Sequence, residues 1–199
     1  MTHGASKERE LMLTGAGGQG VQLAAQTLAR AATLEGRHVM LLGTYGGTMR
    51  GGNTESAIVF GAGPLSSPPI VSRLWSAVAL HHLFWQPVRA KLPAGALLLV
   101  NSTLFEEALE PGHYRLFEVP ATQIADEHGS KAGASMVAIG GYAKLTGIVA
   151  IESLIEAMRS SLPAYRQQHA EVNEALLRVG FAHFDAVEVP AWEVLEGAA

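Results

Sequence analysis

An apolar run that stops at a glycine-rich turn and resumes as a helix constrains this chain more than any other feature. Leu11–Val21 reads LMLTGAGGQGV. Leu11 to Leu13 has the character of a strand. Val21–Leu34 has helical periodicity and carries Ala24, Ala25, Ala29, Ala31 and Ala32, small residues that let a helix sit close on a sheet. Between them Gly15, Gly17 and Gly20 fit G-x-G-x-x-G. Glycine is required there if the backbone takes a positive φ or must approach a ligand closely. The N–H groups of such a loop and of the first helical turn cradle anions, and the helix dipole adds roughly 0.3–1 kcal/mol. The same pattern also serves a plain strand-to-helix turn that binds nothing.

The chain itself offers a test of the dinucleotide reading. A dinucleotide fold places Asp or Glu at the end of the second strand, about 20 residues on, to bind the ribose. Here the second strand is expected over His38–Leu42, and Gly43, Thr44 and Tyr45 follow it without an acid. Glu35 comes too early. NADP remains open through an arginine, whereas ordinary NAD binding is disfavoured. The next stretch, Tyr45–Asn53, reads YGGTMRGGN, with glycines at 46, 47, 51 and 52 around Arg50. So much glycine is costly to order, which points to backbone that approaches something closely. Arg50 supplies a planar fork for phosphate or carboxylate. A flexible loop with a solvated arginine is the plainer alternative.

In this order, GAGGQGV, YGGTMRGG and the strand SAIVFG resemble the gamma subunit of the 2-oxoacid:ferredoxin (acceptor) oxidoreductases. These are the pyruvate, 2-oxoglutarate, ketoisovalerate (branched-chain), indolepyruvate and phenylglyoxylate (arylglyoxylate) enzymes. The resemblance continues through PATQIADEHG (120–129), SMVAIGGYAKLTG (135–147) and Asn173 to Gly180. Two positions depart from the family pattern. Arg73, Leu74 and Trp75 stand where an aspartate usually precedes the strand Ser76–Leu80, and Ser135 stands where asparagine is usual.

The resemblance implies a non-catalytic subunit of a complex that oxidatively decarboxylates a 2-oxoacid to an acyl-CoA. Thiamine diphosphate, Mg and 4Fe-4S clusters would lie in partner alpha, beta and ferredoxin-like delta subunits, and electrons would pass to ferredoxin or another acceptor. No cofactor is expected on this chain alone. Gly15, Gly17, Gly18, Gln19, Gly20, Tyr45, Arg50, Gly51 and Gly52 are the candidate contacts to CoA, the co-substrate, or to a neighbouring subunit. The alternative is a free-standing NADP- or flavin-binding oxidoreductase that uses the first loop alone.

Composition agrees with a chain that works among others. At 199 residues, 48% hydrophobic and 16% charged, it is charge-poor against the roughly 25% usual for soluble domains, and it has surface to bury against partners. A net charge of −4 gives no sign of nucleic-acid binding. No apolar run approaches the roughly 18 residues of a membrane span. Met1–Glu10 is polar and shows no secretory signal, so a cytoplasmic location is expected. The chain has no cysteine, which removes thiol nucleophiles, disulfides and cysteine-ligated iron–sulfur clusters from it. Of the eight histidines, His81 and His82 are adjacent and, on a helix, would diverge by roughly 100°. No metal site is expected.

In order along the chain, strands are expected at Glu8–Thr14, His38–Leu42 (buried on both faces), Thr54–Phe60, Ser76–Leu80, Ala96–Val100 and Tyr114–Val119. Helices are expected at Val21–Leu34, His81–Lys91 (broken near Pro87) and Gln123–His128 (capped by Thr122), with a short one after Ser102 or Thr103. Ala132–Thr146 is helical and full of small residues, which predicts close helix packing within the fold or against a partner. Ile151–Arg159 and Tyr165–Arg178 read as amphipathic helices. The fold class is therefore α/β, a mostly parallel, Rossmann-like sheet with flanking helices and a helical C-terminal third. A single gamma-type domain, 1–199, is expected, with an α/β core at 8–180. The tail 181–199, with Phe184, Val187, Val189 and Trp192, is expected to pack on a partner subunit. No nucleophile elbow, acid–base pair or H-E-x-x-H motif is present; Asp126, Glu127 and His128 read as a solvated turn.

Overall fold

The computed structural model describes residues 8–45, 51–66, 70–110, 112–130 and 132–192. Within them, six strands form one sheet: β1 (Glu8–Ala16), β2 (His38–Tyr45), β3 (Asn53–Gly61), β4 (Ser76–Ala79), β5 (Leu97–Asn101) and β6 (Arg115–Val119). Their spatial order is β2-β3-β1-β4-β5-β6. β4, β5 and β6 run parallel to β1, and β3 runs against both of its neighbours. The expected mostly parallel α/β sheet is therefore present. The helices are α1 (Val21–Leu34), α2 (Gln86–Arg89), α3 (Ala121–Glu127), α4 (Ala134–Thr146), α5 (Ile151–Ser161) and α6 (Ala170–Ala182).

The alternation of side chains along the central strands separates two cores. Leu11, Leu13, Ile58, Phe60, Val78, Leu97 and Leu99 face the long helices. Met12, Ala57, Val59, Ala77, Leu98 and Val100 face a thinner cover that includes Leu74, Trp85, Val88 and Leu92. Full burial of one such aliphatic side chain is worth about 1.5–3 kcal/mol. Central strands buried on both faces are apolar throughout, as parallel strands must be when both faces are covered. α1 has the boundaries read from its sequence, and Gly36, at φ 75°, turns the chain out of it.

The small residues of α4 find their neighbour within this chain. Gly140 lies against the backbone of Leu177, and Gly180 against the backbone of Val137. The stripe therefore serves a close α4–α6 crossing. Tyr142 is buried on the same helix, where its hydroxyl meets Ser76 Oγ at 2.8 Å and burial raises its pKa.

Several expectations need correction. β2 is an edge strand rather than a strand buried on both faces: Val39 and Leu41 pack on the helical core, while Met40 and Leu42 on its other face are 39% and 37% exposed. No helix follows Ser102; residues 105–110 carry no regular structure. α3 begins earlier than expected, at Ala121 with Pro120 as its N-cap. Thr122 does not cap it, because its hydroxyl accepts from Asn101 Nδ2 at 2.8 Å while its own N–H donates to Asn101 Oδ1 at 3.1 Å. The interrupted helix is a 3₁₀ turn, His82–Phe84, followed by α2, and Pro87 sits at the start of α2, where its missing N–H is harmless. The last helix is likewise divided into a 3₁₀ segment, Ala164–His169, and α6.

As far as Trp192, part of the C-terminal tail is covered from within this chain, while Val187 stays 51% exposed. The N–H groups of Glu188 and Val189 donate to the Leu145 carbonyl, and that of Ala191 to Thr146. Arg9 Nε donates to the Ala191 carbonyl at 2.8 Å. Trp192 donates to the Ile148 carbonyl, and its ring lies 4.2 Å from the Arg37 guanidinium. Val189 and Ala191 are buried by this chain's own surface. Residues 193–199 lie outside the described residues.

Candidate functional site

The two glycine loops meet because of the antiparallel strand. β3 pairs with β1 on one side and with β2 on the other, so the loop that enters β3 returns to the turn that leaves β1. The ladder places Ala16 opposite Asn53 and Gly15 opposite Thr54. One step further, the Gly17 N–H donates to the Gly52 carbonyl at 2.8 Å. A Cβ on Gly17 would lie 3.3 Å from the Gly51 nitrogen and 3.5 Å from the Gly52 oxygen. Gly17 is thus glycine because the loops touch. Positive φ is required at Gly18 (100°), Gly20 (81°) and Gly51 (76°).

Each remaining residue of the turn has a definable role. Gly20 caps α1 in the left-handed conformation, and a Cβ there would meet Ser135 Oγ at 2.5 Å. Gln19 closes the turn through its side chain, with Oε1 accepting from the Ala16 N–H at 2.7 Å and Nε2 reaching the Leu80 carbonyl at 3.4 Å. Gly15 leaves room for that amide. The first intrahelical bond of α1 runs from Ala24 N–H to the Gly20 carbonyl at 2.9 Å. The N–H groups of Val21, Gln22 and Leu23 therefore have no partner within the helix. Tyr45 ends β2 opposite Thr54. Arg50, with Gly46 and Gly47, lies outside the described residues.

The α1 N-terminus opens on a cleft of about 1210 Å³. One wall is the turn (Gly17, Gly18, Gly20) with Val21, Gln22 and Leu23, and Asn53 and Thr54 continue it. The other wall is the segment Ser161–Asn173, including Arg166 and His169, and residues Gly129, Ser130 and Ala132 border it. Nothing in the sequence pattern identifies Arg166 or His169. Both lie more than a hundred residues from the glycine turn, and the one available signal is their spacing of three on one short segment. No Asp or Glu is among the described residues that line the cleft, although the chain has 18 acidic residues.

The histidine pair is arranged differently from its expected helical placement. His81 is extended and accepts from the Leu83 N–H through Nδ1 at 3.3 Å. Its ring lies 4.8 Å from that of His82. Burial and the neighbouring His82 lower its pKa. Among the described residues, no three His, Cys, Asp or Glu gather into a metal-binding group, and no helix is long and apolar enough to cross a membrane.

Comparison with known proteins bears on what this arrangement serves. The family model for pyruvate ferredoxin/flavodoxin oxidoreductase matches residues 10–183. The 2-oxoglutarate synthase subunit KorC of Methanothermobacter marburgensis is 31% identical over 162 residues, which is 78% of this chain and 87% of that protein. The gamma subunit of a keto/oxoacid ferredoxin oxidoreductase from Geobacter sulfurreducens PCA superposes with a TM-score of 0.75 at 29% identity, over 88% of this chain and 95% of that one. The 2-oxoglutarate:ferredoxin oxidoreductase of Magnetococcus marinus, solved with 2-oxoglutarate, coenzyme A and succinyl-CoA, superposes with a TM-score of 0.80. That match covers 92% of this chain and 33% of the other at 16% identity, and so speaks to fold alone.

Proposed function

The chain belongs to the pyruvate ferredoxin/flavodoxin oxidoreductase family, as the gamma subunit of a 2-oxoacid:ferredoxin oxidoreductase complex, and on that premise we propose that it serves acyl-CoA formation without carrying out the chemistry. Its joined glycine loops contact CoA, and its surface helps assemble the complex. The observation that carries this reading is the Gly17–Gly52 hydrogen bond. It joins the two loops into one glycine-walled edge beside the unpaired N–H groups of α1, a form suited to an anionic partner.

Among the described residues, no group is arranged to cleave a carbon–carbon bond or to carry electrons. Without cysteine the chain offers no thiolate to an iron–sulfur cluster. Thiamine diphosphate with Mg and the clusters belong, on this reading, to the alpha, beta and delta partners, which supply decarboxylation and electron transfer to ferredoxin or another acceptor. This chain's part is to bind and orient the acyl acceptor, with backbone N–H groups holding negative charge. The alternative of a free-standing NADP- or flavin-dependent oxidoreductase gains no support, since the family match runs over residues 10–183 and the KorC relative is itself a subunit of 2-oxoglutarate synthase; the missing acid after β2 disfavours NAD alone.

Reconstitution of the complex with and without this chain tests the proposal. Omission is expected to abolish CoA-dependent turnover, or to raise the KM for CoA by about tenfold or more, the equivalent of roughly one charge-assisted hydrogen bond. A preparation without the chain that keeps its normal KM for CoA and its normal rate would refute it.

A further inference from the structure

The β2 edge of the sheet is unprotected against pairing. β2 ends the strand order, so alternate N–H and C=O groups along it have no strand to bond among the described residues. Its register with β3 runs unbroken from His38 to Tyr45, without a bulge. Residues 39–45, VMLLGTY, contain no proline and no charge. Proline, lysine and bulges are the usual devices that keep an edge from pairing with another chain. β6, at the opposite edge, carries Arg115 and Glu118. The thin cover on the outer face leaves β2 bare, with Met40 39% and Leu42 37% exposed. On the helical face Val39 and Leu41 are only half-buried although α1 packs there, and Leu34 at the end of α1 is 49% exposed.

We propose that β2 pairs with β2 of a second copy of this chain, antiparallel about a twofold axis through Leu41, and so joins the two sheets into one. The strand is complementary to itself in that register. With Leu41 opposite its own copy, Met40 faces Leu42 and His38 faces Thr44, each twice, as an isologous contact requires. Directly opposed residues share a face of the sheet, so the Met40 and Leu42 side chains of both copies close over one another on the outer face. A shift of two residues either way would set Leu42 on His38, or Met40 on Thr44. The charges agree with the pairing. Thr44 lies opposite Glu55 on β3, so His38 of each copy is carried to the row that holds the other copy's carboxylate. No like charges meet across the seam. The helices of both copies stay on one side of the joined sheet. This contact is one of assembly and is independent of CoA.

Sedimentation equilibrium of the full chain and cross-linking in the assembled complex test this. The chain is expected at twice its 21.0 kDa. Leu42→Lys, at a partly exposed side chain, is expected to raise the dimer dissociation constant at least about tenfold with an unchanged circular-dichroism spectrum. In this cysteine-free chain, Met40→Cys combined with Leu42→Cys should give, on oxidation of the complex, a covalent dimer linked between position 40 of one copy and 42 of the other, located by peptide mass spectrometry. Either substitution alone should give none, because the 40–40 and 42–42 pairs lie on diagonals beyond disulfide reach. A chain that is monomeric at every loading concentration would overturn the proposal, as would a Leu42→Lys variant that dimerises normally. Equal cross-linking of the single variants would refute the register. A disulfide from position 40 or 42 to a different subunit would also overturn the proposal, and would identify that subunit as the occupant of the edge.

Discussion

Gly17→Val is expected to fold and to use CoA with a raised KM, whereas Gly20→Val is expected to lose stability around α1. Gly17 has no positive φ, so valine is conformationally possible there. Its Cβ, however, starts 3.3 Å from the Gly51 nitrogen, and the branched methyls must push the two loops apart. Parted loops cannot both reach the anion. The deficit is that of one charge-assisted hydrogen bond, roughly 1.5–3 kcal/mol, so the CoA KM should rise about ten- to a hundredfold. Gly20 is at φ 81°, a region that costs a non-glycine residue roughly 1–3 kcal/mol and a β-branched one more. Its Cβ would also lie 2.5 Å from Ser135 Oγ. The circular-dichroism melt should fall by about 10 °C or more, at roughly 2–4 °C per kcal/mol for a domain of this size. Normal melting for Gly20→Val, or normal CoA kinetics for Gly17→Val, would each contradict the local geometry.

Gly180→Ala should be strongly destabilising even though alanine is the better helix former. The exchange gains about 1 kcal/mol of helix propensity. Against this, the new methyl would fall on the Val137 carbonyl, with Val137 C at 2.7 Å and Cα at 2.9 Å. Backbone cannot rotate away as a side-chain tip can, so the helices must separate. Separation would loosen the crossing that also holds Gly140 against Leu177. Overpacking of this kind costs typically 1–3 kcal/mol and occasionally more. We expect a net loss of about 2 kcal/mol, read as a melting temperature lower by roughly 4–8 °C. A variant at least as stable as the parent would show that α4 and α6 have room to spare.

Local patterns are legible in the sequence wherever one element decides its own conformation. The apolar run, the glycines and the alanine-rich stretch point to β1, its turn and α1, because strand burial, positive φ and close packing each restrict residue type directly. The glycines of α4 announce close packing but not its partner, since a flat helix face looks the same to Leu177 as to another subunit. Pairing order is not legible. Nothing in SAIVFG states that β3 runs antiparallel between β1 and β2, and that choice alone brings Gly52 to Gly17. The exposure of Met40 and Leu42 is hidden for the same reason, because an apolar strand reads alike at an edge and at the centre of a sheet. Trp192 reads as a residue needing outside cover, yet Arg37 covers it from within. Arg166 and His169 sit in a polar, unpatterned segment whose placement depends on how α5 and α6 return to α1.

Amide hydrogen exchange on the assembled complex, with and without CoA, tests the central claim most directly. If the joined glycine loops contact CoA, exchange should slow on CoA addition in the segments 20–23 and 51–52, the first of which holds the N–H groups of Val21, Gln22 and Leu23 that have no partner within the helix. The strands behind them should change little, because they are already protected by the sheet. Turnover of CoA by a complex in which those segments exchange at the same rate with and without it would contradict the account.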